Sequence, residues 1–406
     1  LTASSTGKSV RLNGSSLYNV EFNGTGGAWT FFDASATSSN NMTITAGTVI
    51  APTSMLTIGG SFQNFGTFTS GVGTIKFTAN ATGKSIRTGG SALYNVLVDG
   101  VGGAWTFTDT NATATRDFTV LNGTTTLPSG TYTVGGSWTT SAGGFTAATT
   151  STVVLNATTT GKTVDPGIST FGSLTFNSAS GGWTVAQNAT TTGNLTITAA
   201  TAFTLTPNRT LAVGGTFTNG VGGAATTWAT TTLSLYSGTN YTINTKSAGN
   251  DVYGTLSVGA NTDVRMWNST AATTTVNSTG SLYSMDNAAL SGTAVDGDLY
   301  IWGEYALSGG NDYWSYATDF DGTALGGSSR TVNVRIATSS SVTVSGGALN
   351  IVGAAGATTT IQNQGTGRYA VSVTGGTLNG SRYLIRNTDV NGLSLSGAPT
   401  ITSLDL

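Results

Sequence analysis

Apolar residues along this chain alternate with polar ones in short runs: Val96 and Val98, Trp105 and Phe107, Phe118 and Val120, Tyr132 and Val134, Val153 and Leu155. A period of two places successive side chains on opposite faces of a strand, so each run predicts a short β-strand with one face buried. Between the runs lie "NGT", "DG", "GG" and "PSG", where glycine and asparagine accept the backbone angles of tight turns. No long stretch has a 3.6-residue apolar rhythm, and β-branched threonine is abundant throughout, so the pattern predicts an all-β protein.

The strands recur in a fixed order. "TGKSVRLNGSSLYNVEFNGTGGAWTF", from Thr6, returns as "TGKSIRTGGSALYNVLVDGVGGAWTF", from Thr82. Lys84 follows Lys8 by 76 residues and Lys162 follows Lys84 by 78; Trp29, Trp105 and Trp183 keep the same separations. Phe62, Trp138 and Phe217, in "IGGSF", "VGGSW" and "VGGTF", are 76 and 79 apart, and a fainter fourth copy begins near Lys246. A fixed period is what an array of stacked supersecondary units produces. A string of sandwich domains would need a separate core for each copy. Abutting copies, very short strands and modest inward residues instead predict a β-solenoid with roughly 20 to 25 residues per coil, its strands ~4.8 Å apart.

That reading divides the chain into residues 1–236, three repeats of about 77 residues; 237–330, a divergent solenoid region with an acidic and aromatic excursion at 296–321; and 331–406, the last coils. Parallel crossovers predict a right-handed parallel β-helix. "GGAWTF" is expected to recur at one angular position. Lys8, Lys84 and Lys162, with Arg11 and Arg87, are then expected to form a sparse basic ladder along one side, more in the manner of solubilising turn residues than of a contact for acidic glycans.

Composition narrows the function. Only 8% of the 406 residues are charged and the net charge is −2, with no basic block, so nucleic acid is not an expected partner. No run of 18 apolar residues predicts membrane insertion, and the first residues lack the basic and apolar parts of a signal peptide. The 58 glycines, the many hydroxyl side chains and the lack of cysteine suggest an extracellular location. Sequons at Asn80, Asn111, Asn156 and Asn188 fall in turns and could carry glycans. Thirty-six aromatic residues (8 Trp, 13 Tyr, 15 Phe) supply material for a core.

Concentrated chemistry occurs in "AVDGDLYIWGEYALSGGNDYWSYATDFDG". Trp302, Tyr305, Tyr313, Trp314 and Tyr316 could form a platform for the pyranose rings of cell-surface glycans, and Asp296, Asp298, Asp319 and Asp321 could hold calcium through "DGD" and "DFDG". The competing reading is a loop that packs its aromatics on the solenoid. Two carboxylates could also serve a polysaccharide-cleaving enzyme. With no histidine, no cysteine and no nucleophile motif, however, the expectation is a protein that is not an enzyme and has no cofactor.

"GSF…GTFTSGVGTIKFTANATGK…LYNV…GGAWTF" and "GRYAVSVTGGTLNGSRYLIRNTDVNGLSLSGAPTITSLDL" resemble the threonine-rich secreted β-helix repeat proteins of bacteria, particularly patescibacterial surface proteins, and more loosely autotransporter passengers and filamentous adhesins. The resemblance implies a right-handed parallel β-helix acting as a surface fibre or adhesin. Neither end reads as a polar cap. Leu1, Thr2 and Ala3 at one end, and Ile401, Leu404 and Leu406 at the other, are expected to support head-to-tail stacking of the protein on itself. The alternative is a stalk or adhesin segment of a longer chain.

Overall fold

A computed structural model describes residues 1–140, 142–221, 225–228, 230–236, 240–244, 251–259, 262–267, 269–276, 281–284, 297–315, 332–336, 338–353, 358–363 and 365–402. Among them there is no helix, and the paired strands run parallel to form a β-solenoid with roughly 21 residues per turn. The described residues fall into two compact units, Leu1–Gly193 with Ala199–Phe203, and Asn194–Thr198 with Thr204–Leu406.

In the first unit the coil has three faces, and the strand register traces each of them. Val20, Met42, Phe62, Ile86 and Phe107 pair in succession on face I. Lys8, Trp29, Val49 and Phe68 do so on face II. Face III runs Ala36, Leu56, Ile75, Val96, Phe118, Trp138, Val164 and Val185. Alternation then decides what is inside. In Met42–Ile50, Met42, Ile44 and Val49 are buried while Thr43 and Thr45 face outward. Rings from different faces meet in the interior: Trp138 lies with its centroid 4.4 Å from Phe118, 5.1 Å from Phe145 and 5.3 Å from Phe171. Each such buried aromatic contributes roughly 1.5–3 kcal/mol through the area it removes from water.

The repeat and the coil do not divide evenly. From Lys8–Val10 to the equivalent Lys84–Arg87 the chain passes eleven strand positions: 8–10, 17, 20–22, 28–31, 35–38, 42–44, 48–50, 55–58, 62–64, 67–69 and 74–77. Eleven strands on three faces make three and two-thirds turns, so each copy begins one face away from the last. Trp29 therefore lies on face II, Trp105, paired with Lys84, on face I, and Trp183, paired with Lys162, on face III. This corrects the expectation that "GGAWTF" holds one angular position. The parts are copied faithfully all the same. The glycine before each lysine has the same left-handed φ, +76° at Gly7, +75° at Gly83 and +76° at Gly161.

The second unit uses the same construction with uneven coils. One of its columns runs Leu211, Leu233, Leu256, Thr274, Tyr305, Val342, Val371 and Leu393. Successive partners there are 22, 23, 18, 31, 37, 29 and 22 residues apart, which explains why the period fades in this half while the ladder persists. Gly297–Ser315, inside the expected excursion, is a strand paired with Ser269–Val276 on one side and Ser341–Val352 on the other. It belongs to the ladder because its Tyr-x-Leu alternation fits a coil wall.

Candidate functional site

Two of the five aromatics proposed as a glycan platform are core residues. Tyr305 is 1% exposed and Trp314 is fully buried, their rings are 5.3 Å apart edge to face, and Trp314 packs towards Val342, Val344, Leu349 and Ile351. They are nine residues apart, and the register shifts between Leu307 and Asn311 let both turn inward, so neither is presented to a sugar. Trp302 and Tyr313 lie in the same strand, where Tyr313 pairs with Tyr283 and Asn350, and Asp298 pairs with Asn333. Asp296, Tyr316, Asp319 and Asp321 lie outside the described residues. Among the described residues no cluster of three or more acidic side chains is arranged to hold a metal ion.

The expected basic ladder is also dispersed. Lys8, Lys84 and Lys162 lie on faces II, I and III, because eleven is not a multiple of three. Their neighbouring arginines stack on aromatics one coil away: the Arg11 guanidinium lies 3.3 Å from the Phe32 ring centre, and Arg87 lies 4.7 Å from that of Phe65. A cation over a ring face is attracted by the ring quadrupole, so these side chains fasten coil to coil.

Most distinctive is the use of polar side chains at the corners. A parallel ladder leaves backbone N–H groups unpaired where strands turn, and short carboxyl or amide side chains can reach them. Asn19 accepts from the Asn41 N–H at 3.1 Å, and Asn41 accepts from the Ser61 N–H at 2.8 Å. One repeat later Asn95 accepts from the Asp117 N–H at 3.2 Å and Asp117 from the Ser137 N–H at 2.7 Å. Asp33 accepts from the Leu12 N–H at 2.6 Å, and its equivalent Asp109 accepts from Thr88 and Gly89. The sequon residue Asn111 likewise accepts from the Thr131 N–H at 2.7 Å.

Three coils are joined through Asp99. The Lys76 ammonium sits 2.7 Å from one carboxylate oxygen, and the Asn122 amide donates to the other at 2.7 Å. The hydrogen bond from Lys76, followed by that from Asn122, holds the carboxyl below its ordinary value of 3.8. Burial has the opposite effect on Tyr132, whose phenol is pushed well above 10.0 and whose hydroxyl has no partner. Burial also raises Tyr369, although its hydroxyl donates to the Arg386 carbonyl at 2.9 Å.

Of the residues expected at an assembly end, the Leu1 ammonium donates to the Glu21 carbonyl at 2.6 Å and the Leu1 carbonyl accepts from the Asn23 N–H at 2.9 Å. Thr2 and Ala3 line a concavity of about 620 Å³ together with Val10, Leu17, Val20 and Trp29. Ile401 pairs with Leu378, and Leu404 and Leu406 lie outside the described residues.

A smaller groove of about 360 Å³ crosses the glycine-rich corner between faces I and II, beside Phe65. Its sequence signal is a ring out of phase: Phe65 lies three residues after Phe62, so the alternation that buries Phe62 and Asn64 turns Phe65 outward, where it is 59% exposed. No protein-family model, curated protein or solved structure matches the chain.

Proposed function

We propose that the chain is a structural component of an extracellular filament or surface fibre, in which the stacking of coil on coil is itself the function. The observation that carries this reading is the repeated use of Asn and Asp side chains to cap the backbone of the next coil, seen at Asn19, Asn41, Asn95 and Asp117. Side chains committed in this way stiffen the ladder against shear. Strand edges in general accept further strands of the same kind. Self-association end to end through such edges is the assembly proposed, and heterologous contacts that do not close produce a filament.

Electron microscopy of the purified 406-residue chain at high concentration tests it. Filaments with a regular axial repeat are the expected result. Single particles at every concentration would sink self-assembly and leave a spacer role within a larger fibre.

A further inference from the structure

The groove beside Phe65 is decorated in a way that the fold does not require. Its floor is backbone, because glycine is obligatory there. A Cβ on Gly27 would stand 2.3 Å from the Ala3 carbonyl oxygen, and one on Gly47, at φ +92°, 2.6 Å from that of Gly24. Around the floor stand the hydroxyls of Thr25, Thr48 and Thr67, none of which hydrogen-bonds within the protein, and that of Thr45, which donates to the Glu21 carboxylate at 2.7 Å. Phe65 lines the groove as well. It remains 59% exposed even with Arg87 stacked 4.7 Å from its centre.

The second repeat provides an internal control. Its corner has the same backbone in its first two coils, with Gly102 at +77° against +79° for Gly26, and Gly123 at +84° against +92° for Gly47, while its third coil has one more residue, since Thr124 pairs with Gly144 where Thr48 pairs with Thr67. Its side chains differ: Val101 replaces Thr25, Leu121 replaces Thr45, Gly144 replaces Thr67 at the paired position, and the sequence "TSAGG" at 140–144 has no aromatic residue to match Phe65. Packing therefore needs neither the hydroxyls of Thr25, Thr45 and Thr67 nor the ring, while Thr48 is kept as Thr124.

We propose that this groove binds a neutral saccharide. A pyranose presents an apolar C–H face and a rim of hydroxyls that both donate and accept. An exposed ring beside uncharged hydroxyls and open backbone complements that chemistry, and the groove has the volume of a small-ligand site. The site differs from the aromatic platform expected at 302–316.

The test is a glycan array carrying neutral oligomers of glucose, galactose, mannose and N-acetylglucosamine alongside sialylated and uronic-acid glycans, probed with the full chain. Calorimetry on the best neutral ligand follows. The control is T25V/T45L/F65S, which gives the first groove the second repeat's apolar residues at 25 and 45 and removes the ring that the second repeat lacks, and so should fold. Binding to a neutral oligomer, weakened at least tenfold in the triple variant with an unchanged melting temperature, is the expected result. No neutral ligand, preference for acidic glycans, or undiminished binding by the variant would each overturn the proposal.

Discussion

Trp29 and Trp105 occupy the same place in successive repeats yet enter the core from different faces, II and I. Because eleven strands advance the coil by three and two-thirds turns, a repeat is equivalent to the one before it after a rotation of one face. Any column can therefore receive any repeat. Removing residues 84–161 would join Gly83 to Lys162, and Gly161, the residue Gly83 would replace, has the same φ within a degree. The shortened protein should fold cooperatively, with its melting temperature within a few degrees of the intact chain, since stability in such arrays is close to a sum over neighbouring units. Circular dichroism and thermal unfolding would check this, and a chain without a cooperative transition would contradict the equivalence.

Asp99 gives the fold an acid sensitivity. Its folded-state pKa lies below the ordinary 3.8, so its stabilisation is fully present above that value and disappears as pH falls through the lower folded value. Lys76 and Asp99 side chains are 25% and 22% exposed, so screening by water limits the ion pair to about 0.5–1 kcal/mol. Asp99→Asn should lower stability at pH 7 by about that amount. It should also flatten the acid limb of the stability curve between pH 5 and 2, measured by urea unfolding across that range.

Tyr132 is a different case. Its ring packs 5.1 Å from both Phe107 and Phe118, but its hydroxyl is buried with no partner. Removing an unsatisfied buried group relieves its desolvation cost, so Tyr132→Phe should stabilise the protein by about 1 kcal/mol. The pKa of this phenol is raised on folding, so its contribution is intact below pH 10 and lost as pH rises further. The variant should therefore also resist alkaline unfolding better than the parent. A lower melting temperature would show instead that the hydroxyl is satisfied by an internal water.

The all-β class, coil length and repeat period were legible because they depend on alternation and on turn residues, which are local. The face on which each repeat falls was not, because it depends on the number of strands per repeat, and single-bridge positions such as Leu17 leave almost no alternating signal. The cluster at 302–316 misled for a related reason. Aromatics at Tyr305 and Trp314 look like a binding surface when acids surround them in sequence, but register shifts between Leu307 and Asn311 within Gly297–Ser315 turn both inward. Phe65 failed in the opposite direction, since one ring out of phase carries little weight in a chain with thirty-six.

The inward position of Trp314 separates packing from recognition. It is fully buried against Tyr305, Val342 and Ile351, so truncation would leave a cavity that surrounding strands, tied to neighbours on both sides, cannot collapse to fill. Trp314→Ala should cost about 3–5 kcal/mol. Trp314→Phe, which retains part of the ring volume, should recover much of that loss. Thermal unfolding of the two variants would check the order. A Trp314→Ala protein as stable as the parent would place the indole at the surface and restore the platform reading. Loss of stability graded with side-chain volume identifies the residue as one that holds successive coils together.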